Sequence, residues 1–124
     1  MWRGACQNGC VRRAYLVLLH ELLPEHEARL RITLETERGR LVSWGAQLEW
    51  LDPEEGRFVW VARYDTAGGR VHRDRNRIAR HEPTPYAPED PEGLTMAQRD
   101  LRERAREYIE GYGVAKAQRK EGWP

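Results

Sequence analysis

Arg29-Leu30-Arg31-Ile32-Thr33-Leu34-Glu35 decides how the rest of the chain reads. Leu30, Ile32 and Leu34 alternate with Arg31, Thr33 and Glu35, the two-residue period of a strand buried on one face. Two further runs share that period. Val42, Trp44, Ala46, Leu48 and Trp50 form one, and Phe58, Trp60, Ala62 and Tyr64 form the other. Turn-forming residues separate them: Glu37-Arg38-Gly39, then Asp52-Pro53-Glu54-Glu55-Gly56, then a loop holding Gly68-Gly69. The expectation is an antiparallel meander of about four strands over residues 29–81.

Register follows from keeping one face apolar, because a slip of one residue turns every side chain to the other side. A three-residue loop at Glu37-Arg38-Gly39 pairs Leu34 with Val42 and Ile32 with Trp44. The loop from Asp52 to Gly56 pairs Trp50 with Phe58 and Leu48 with Trp60. A loop over Thr66 to Gly69 pairs Tyr64 with Val71 and Arg63 with His72. That register puts Arg63, Asp65, Arg70, His72 and Asp74 together on the polar face.

Outward from the sheet the pattern changes. Pro83, Pro85, Pro88 and Pro91 mark residues 82–94 as a linker. Thr95 with Gln98 reads as a capping box opening a helix. Ala97, Leu101, Ala105, Tyr108 and Tyr112 make its apolar stripe, widened by Ile109, and Gly111 and Gly113 end it. The helix therefore spans 95–113 and packs on the aromatic face of the sheet, followed by a basic tail over 114–124. Residues 1–28 stay open, since Ala14 to Leu23 suits a short helix or a strand. The class is α+β, in one domain.

The 124 residues leave room for one core. Charged residues make up 33% and hydrophobic ones 40%. No run approaches the ~20 apolar residues of a membrane helix, and no apolar leader follows Met1-Trp2-Arg3. A cytoplasmic protein with no membrane partner is expected. Net charge is only +1, yet Arg63, Arg70, Arg73, Arg75, Arg77 and Arg80 face only Asp65 and Asp74 in their stretch. A local basic patch suits a phosphate-bearing partner, or is simply a solvated charged face. The 19 Arg against 2 Lys reflect base composition as readily as chemistry.

Arg63-Tyr64-Asp65-Thr66-Ala67-Gly68-Gly69-Arg70-Val71-His72 carries the chemistry. It resembles the Arg-Tyr-Asp-x-Ala-His-Gly-x-x-His pattern of a group of small prokaryotic proteins that includes TumE-like toxins of toxin–antitoxin pairs. The match lies at Arg63, Tyr64, Asp65, Ala67, Gly69 and His72; where the pattern has its first His, this chain has Gly68. The resemblance implies a toxin-like protein acting on RNA, with an antitoxin protein as partner. Chemically the cluster suits metal-independent phosphodiester cleavage with no cofactor. His72 would be acid or base, Arg63 and Arg70 would bind phosphate, and Asp65 would orient His72. Tyr64 joins this catalytic set, and Arg73, Arg75, Arg77 and Arg80 are candidate nucleic-acid contacts. Arg73 and Arg75 fall on the side opposite His72. The competing reading is a non-catalytic module that binds protein or RNA through the same basic hairpin, for which a homodimer is one expected assembly.

Other constellations are weaker. Cys6-x3-Cys10 followed by His20 and His26 echoes a zinc site with irregular spacing; otherwise these are free thiols, a disulfide not being expected in the cytosol. Glu35, Glu37, Glu49, Glu54 and Glu55 fall on the solvent face or in a turn. The aromatic set Trp44, Trp50, Phe58, Trp60 and Tyr64 could stack bases, but its alternation argues for core.

Overall fold

The computed structural model describes residues 9–21 and 23–124. Among the described residues six strands pair in chain order as one antiparallel sheet. They are β1 (Cys10–Leu18), β2 (Ala28–Glu37), β3 (Arg40–Asp52), β4 (Arg57–Asp65), β5 (His72–Arg75) and β6 (Ala79–Pro83). Two helices follow, α1 (Pro91–Glu103) and α2 (Ala105–Ala117). The α+β class stands, with two strands more than expected. The open N-terminal segment supplies β1, the exposed edge, and β6 closes the other side. Among the described residues no helix is long and apolar enough to cross a membrane.

The sheet buries one face because β2 and β3 alternate as their sequences dictate. Leu30, Ile32, Trp44, Ala46 and Leu48 are buried and meet Ala97, Leu101, Ala105, Tyr108 and Tyr112 of the helices. Each fully buried Leu contributes about 1.5–3 kcal/mol by leaving water. Gly93 in the first turn of α1 lets the helix come close: a Cβ there would lie 3.0 Å from Tyr86 Cβ and 3.5 Å from Trp44.

All three expected registers shift, each for an identifiable reason. Arg38 and Gly39 both take positive φ, 52° and 76°, so they form a two-residue turn closed by Glu37 opposite Arg40. A bulge between Glu35 and Thr36 then realigns the strands, pairing Leu34 with Trp44 and Ile32 with Ala46. The second hairpin carries another bulge. Leu48 pairs with Ala62, but Glu49 pairs with Trp60 and Trp50 with Val59, so Val61 is the extra residue. Phe58 and Trp60 are thereby turned to the face opposite the helices. Arg29 lies over the Phe58 ring at 3.7 Å, and Arg63 over Trp60 at 3.9 Å. At the third hairpin Tyr64 pairs with Arg73, Asp65 with His72 and Arg63 with Asp74. The connection is a 3-10 turn over Ala67–Gly69, with Gly68 and Gly69 at positive φ.

The helical segment starts earlier and ends later than expected. Asp90, not Thr95, is the N-cap: its carboxylate accepts the Glu92 N–H at 2.9 Å, with Pro91 in the first turn. Thr95 instead donates back to the Pro91 carbonyl. The helix breaks at Arg104 but resumes at once, Arg104 N–H donating to Asp100 O and Tyr108 N–H to Arg104 O. Gly111 and Gly113 lie inside α2. Residues 118–124 are docked: Trp123 N–H donates to Asn76, the Trp60 indole donates to Trp123 O, and Arg80 lies over the Trp123 ring.

Two carboxylates expected in solvent are buried. Glu49 accepts from Arg29 (2.7 Å), Arg31 (3.0 Å) and Gln47 (2.7 Å). Burial pushes its carboxyl up, but these donors outweigh that and hold it below the usual range. Glu35 is 4% exposed, with Arg12 at 4.0 Å.

Candidate functional site

The shifted β4–β5 register creates the site. Residues two apart on a strand share a face, so pairing Asp65 with His72 and Arg63 with Asp74 puts all four on the face away from the helices. His72 Nε2 lies 3.1 Å from Asp65 Oδ1 and 3.7 Å from Asp74 Oδ2. Its other ring nitrogen, Nδ1, faces the Arg70 carbonyl at 3.3 Å. Ala67 N–H donates to Asp65 Oδ1 at 3.0 Å, so the turn fixes that carboxylate. Asp74 is fixed on two sides, accepting Arg63 Nε at 3.2 Å on Oδ2 and the His81 backbone N–H at 2.7 Å on Oδ1.

His81 is the residue the sequence did not reveal. It takes φ +57° in an irregular part of β6, which brings its ring edge-on to His72 with centroids 5.2 Å apart. His72 and His81 line an open cleft of about 590 Å³ with Ala67, Gly68, Arg70, Val71 and Pro83. His72 sits on its floor, with 12% of its side chain exposed, and His81 on its rim at 75%.

The electrostatics follow from this geometry. The hydrogen bond to Asp65 raises the His72 pKa against the opposing cost of burial, with further help from the charges on Asp65 and Asp74. Burial pushes the Asp65 carboxyl up. The His72 and Ala67 hydrogen bonds outweigh that and hold it below its usual range. The cleft thus presents an imidazole braced by a carboxylate that favours its charged form, with a second imidazole at its rim and the exposed Arg70 beside it.

The remaining candidates go elsewhere. Tyr64 points to the helices and donates to Asp100 at 2.6 Å; burial and that bond push its pKa up. Arg73 and Arg75 both bind Glu82 on the other face, at 2.9 and 2.8 Å. Arg77 donates to the Lys120 carbonyl and lies over Tyr112, and Arg80 lies over Trp123. The six arginines therefore do not form one open patch. Of the zinc set, Cys6 lies outside the described residues. Cys10 is disulfide-bonded, contrary to the expected free thiols, and so offers no thiolate. His20 is exposed in a turn, and His26 packs edge-on against Trp50 at 6.0 Å.

The class defined by this architecture is an antiparallel β-meander backed by a broken helix, with an Asp–His–Asp–His cluster on the opposite face of its last hairpins. Residues 15–118 match a family described as a domain of unknown function (DUF7718), and the chain belongs to that family. No curated protein and no solved structure matches it.

Proposed function

We propose that this chain is a toxin-like component of a toxin–antitoxin pair that cleaves RNA in the cytoplasm. The observation that carries the reading is His72, held 3.1 Å from Asp65, on the floor of a cleft that also holds His81 and Arg70. RNA cleavage without metal needs a base to take the 2′-hydroxyl proton, an acid to protonate the leaving 5′-oxygen and a cation for the phosphorane. His72 and His81 supply the acid–base pair, Asp65 orients His72, and Arg70 meets the phosphate. Arg63 works at one remove by holding Asp74. Gly68, where the resembled pattern has its first His, lies on the wall of this same cleft, and the second imidazole here comes from His81. An antitoxin protein and RNA are the partners of this reading.

The test uses purified full chain with end-labelled RNA and DNA of one sequence. Cleavage of RNA alone, leaving a 2′,3′-cyclic phosphate, and loss of rate in both His72→Ala and His81→Ala are expected. Induction in cells arrests growth, and His72→Ala relieves it. Equal cleavage by wild type and His72→Ala removes the mechanism. Binding without cleavage, weakened by charge reversal at Arg70 and untouched by His72→Ala, replaces it with a non-catalytic module.

A further inference from the structure

We propose that His72, Asp74 and His81 bind one zinc-class divalent cation, with the fourth position left to solvent. One nitrogen or oxygen from each of the three lies within 4.8 Å of the others. The individual separations approach those a bound ion imposes. Tetrahedral zinc, with bonds of about 2.0–2.2 Å, sets its ligand atoms about 3.3–3.6 Å apart. Here His72 Nε2 is 3.7 Å from Asp74 Oδ2 and His81 Nδ1 is 3.9 Å from Asp74 Oδ1, so the two oxygens of one carboxylate face the two imidazoles. The small closure required falls on His81, the exposed member on an irregular edge strand.

The surroundings are those of a metal ligand set. A ligating imidazole usually has its second nitrogen held by a carbonyl or carboxylate, which fixes the ring. His72 Nδ1 faces the Arg70 carbonyl at 3.3 Å, so Nε2 is the atom turned to the two carboxylates. Both carboxylates are pinned by main-chain N–H groups, Ala67 on Asp65 and His81 on Asp74. Asp74 Oδ2 meets Arg63 Nε and faces His72, while Oδ1 takes the His81 main-chain N–H and faces the His81 ring, and each carboxylate oxygen has a second lone pair for an ion. Two imidazoles with one carboxylate suit zinc or a neighbouring transition ion. Calcium and magnesium take oxygen ligands. Two of the three ligands, His72 and His81, line a cleft that opens to solvent.

This site does not depend on the RNA reading, but it bears on it. An imidazole nitrogen that holds a cation cannot also exchange a proton. Metal loading and proton transfer at His72 therefore alternate, and zinc silences any RNA cleavage. That last consequence alone rests on the function proposed above.

The experiment is calorimetric titration of chelator-stripped full chain with zinc chloride, without reductant. One zinc per chain, with micromolar or tighter affinity, is expected. His81→Ala should weaken it by at least about tenfold while leaving thermal unfolding of the metal-free protein unchanged, and His72→Ala should abolish it. The His20→Ala, His26→Ala double variant should bind as wild type, and cobalt(II) should give visible bands of a nitrogen–oxygen tetrahedral site. No binding by wild type, unchanged binding in His72→Ala and His81→Ala, or loss confined to the His20, His26 variant each overturns the proposal. RNA cleavage by the metal-free protein is scored separately: its absence removes the RNA reading and leaves the cation site standing.

Discussion

Replacing Lys116 with methionine would strand a buried carboxylate, and its cost can be worked from the structure. Lys116 Nζ, on the last turn of α2, lies 2.6 Å from Asp52 Oδ2, 2.9 Å from Glu54 and 3.0 Å from Glu55. The Asp52 side chain is 3% exposed and that of Lys116 is 21% exposed. Removing one member of a buried pair costs about 3–5 kcal/mol, because the other charge is left without its partner. Asp52 keeps the Glu54 N–H at 2.8 Å, which lowers the expectation to roughly 2–3 kcal/mol. For a chain of this length that is about 8–12 °C in melting temperature. Asp52→Asn should cost less than Lys116→Met, since it leaves no buried charge, and the double variant should sit near Asp52→Asn. The pH dependence has a definite sign. Burial pushes the Asp52 carboxyl up, but Lys116 and the turn N–H groups outweigh it, so it is lowered in the folded state. The pair therefore stabilises above about pH 3.9, the unfolded value, and its contribution is lost as pH falls through the folded value. The Lys116→Met deficit should be full at neutral pH and vanish in acid. Urea unfolding of the four proteins across pH measures this. A Lys116→Met variant no less stable than Asp52→Asn, or a deficit that persists in acid, refutes the reasoning.

Three further outcomes are expected. In metal-free protein, proton NMR titration should show His72 above the usual histidine value and back towards it in Asp65→Asn. The margin of wild type over that variant should be present below about pH 6.5 and shrink as pH rises through the folded value. Gly93→Ala should destabilise by about 1–3 kcal/mol in urea unfolding, because its Cβ meets Tyr86 and Trp44 in a full core. Leu101→Ala, at 0% exposure between α1 and the sheet, should cost about 2–5 kcal/mol.

The alternation at Leu30, Ile32 and Leu34 was enough to place β2, and the apolar stripe from Ala97 to Tyr112 was enough to place its covering helices. Local pattern reports which residues want burial, and these positions had one way to satisfy it. Register was less legible. Phe58, Val59, Trp60, Val61 and Ala62 are all apolar, so hydrophobicity cannot say which of them a bulge will expel. Arg38-Gly39 disguised a two-residue turn because arginine seldom takes positive φ. At the site, the sequence put Arg63, Asp65, His72 and Asp74 on a shared face, and the strands do so through a different pairing. His81 was illegible because its place depends on an irregular hairpin and a positive φ, not on spacing. Glu82 was equally hidden as the acceptor that takes both Arg73 and Arg75.

The surplus residue at Val61 reaches further than its own strand. By rotating the first half of β4, it slides Trp60 beneath Arg63 and leaves that guanidinium wedged between an indole and Asp74. Asp74 in turn grips the main chain of His81. One inserted amino acid is thus linked by a chain of contacts to the main chain of His81, and excising Val61 would disturb the far rim of the cleft without touching any group that lines it.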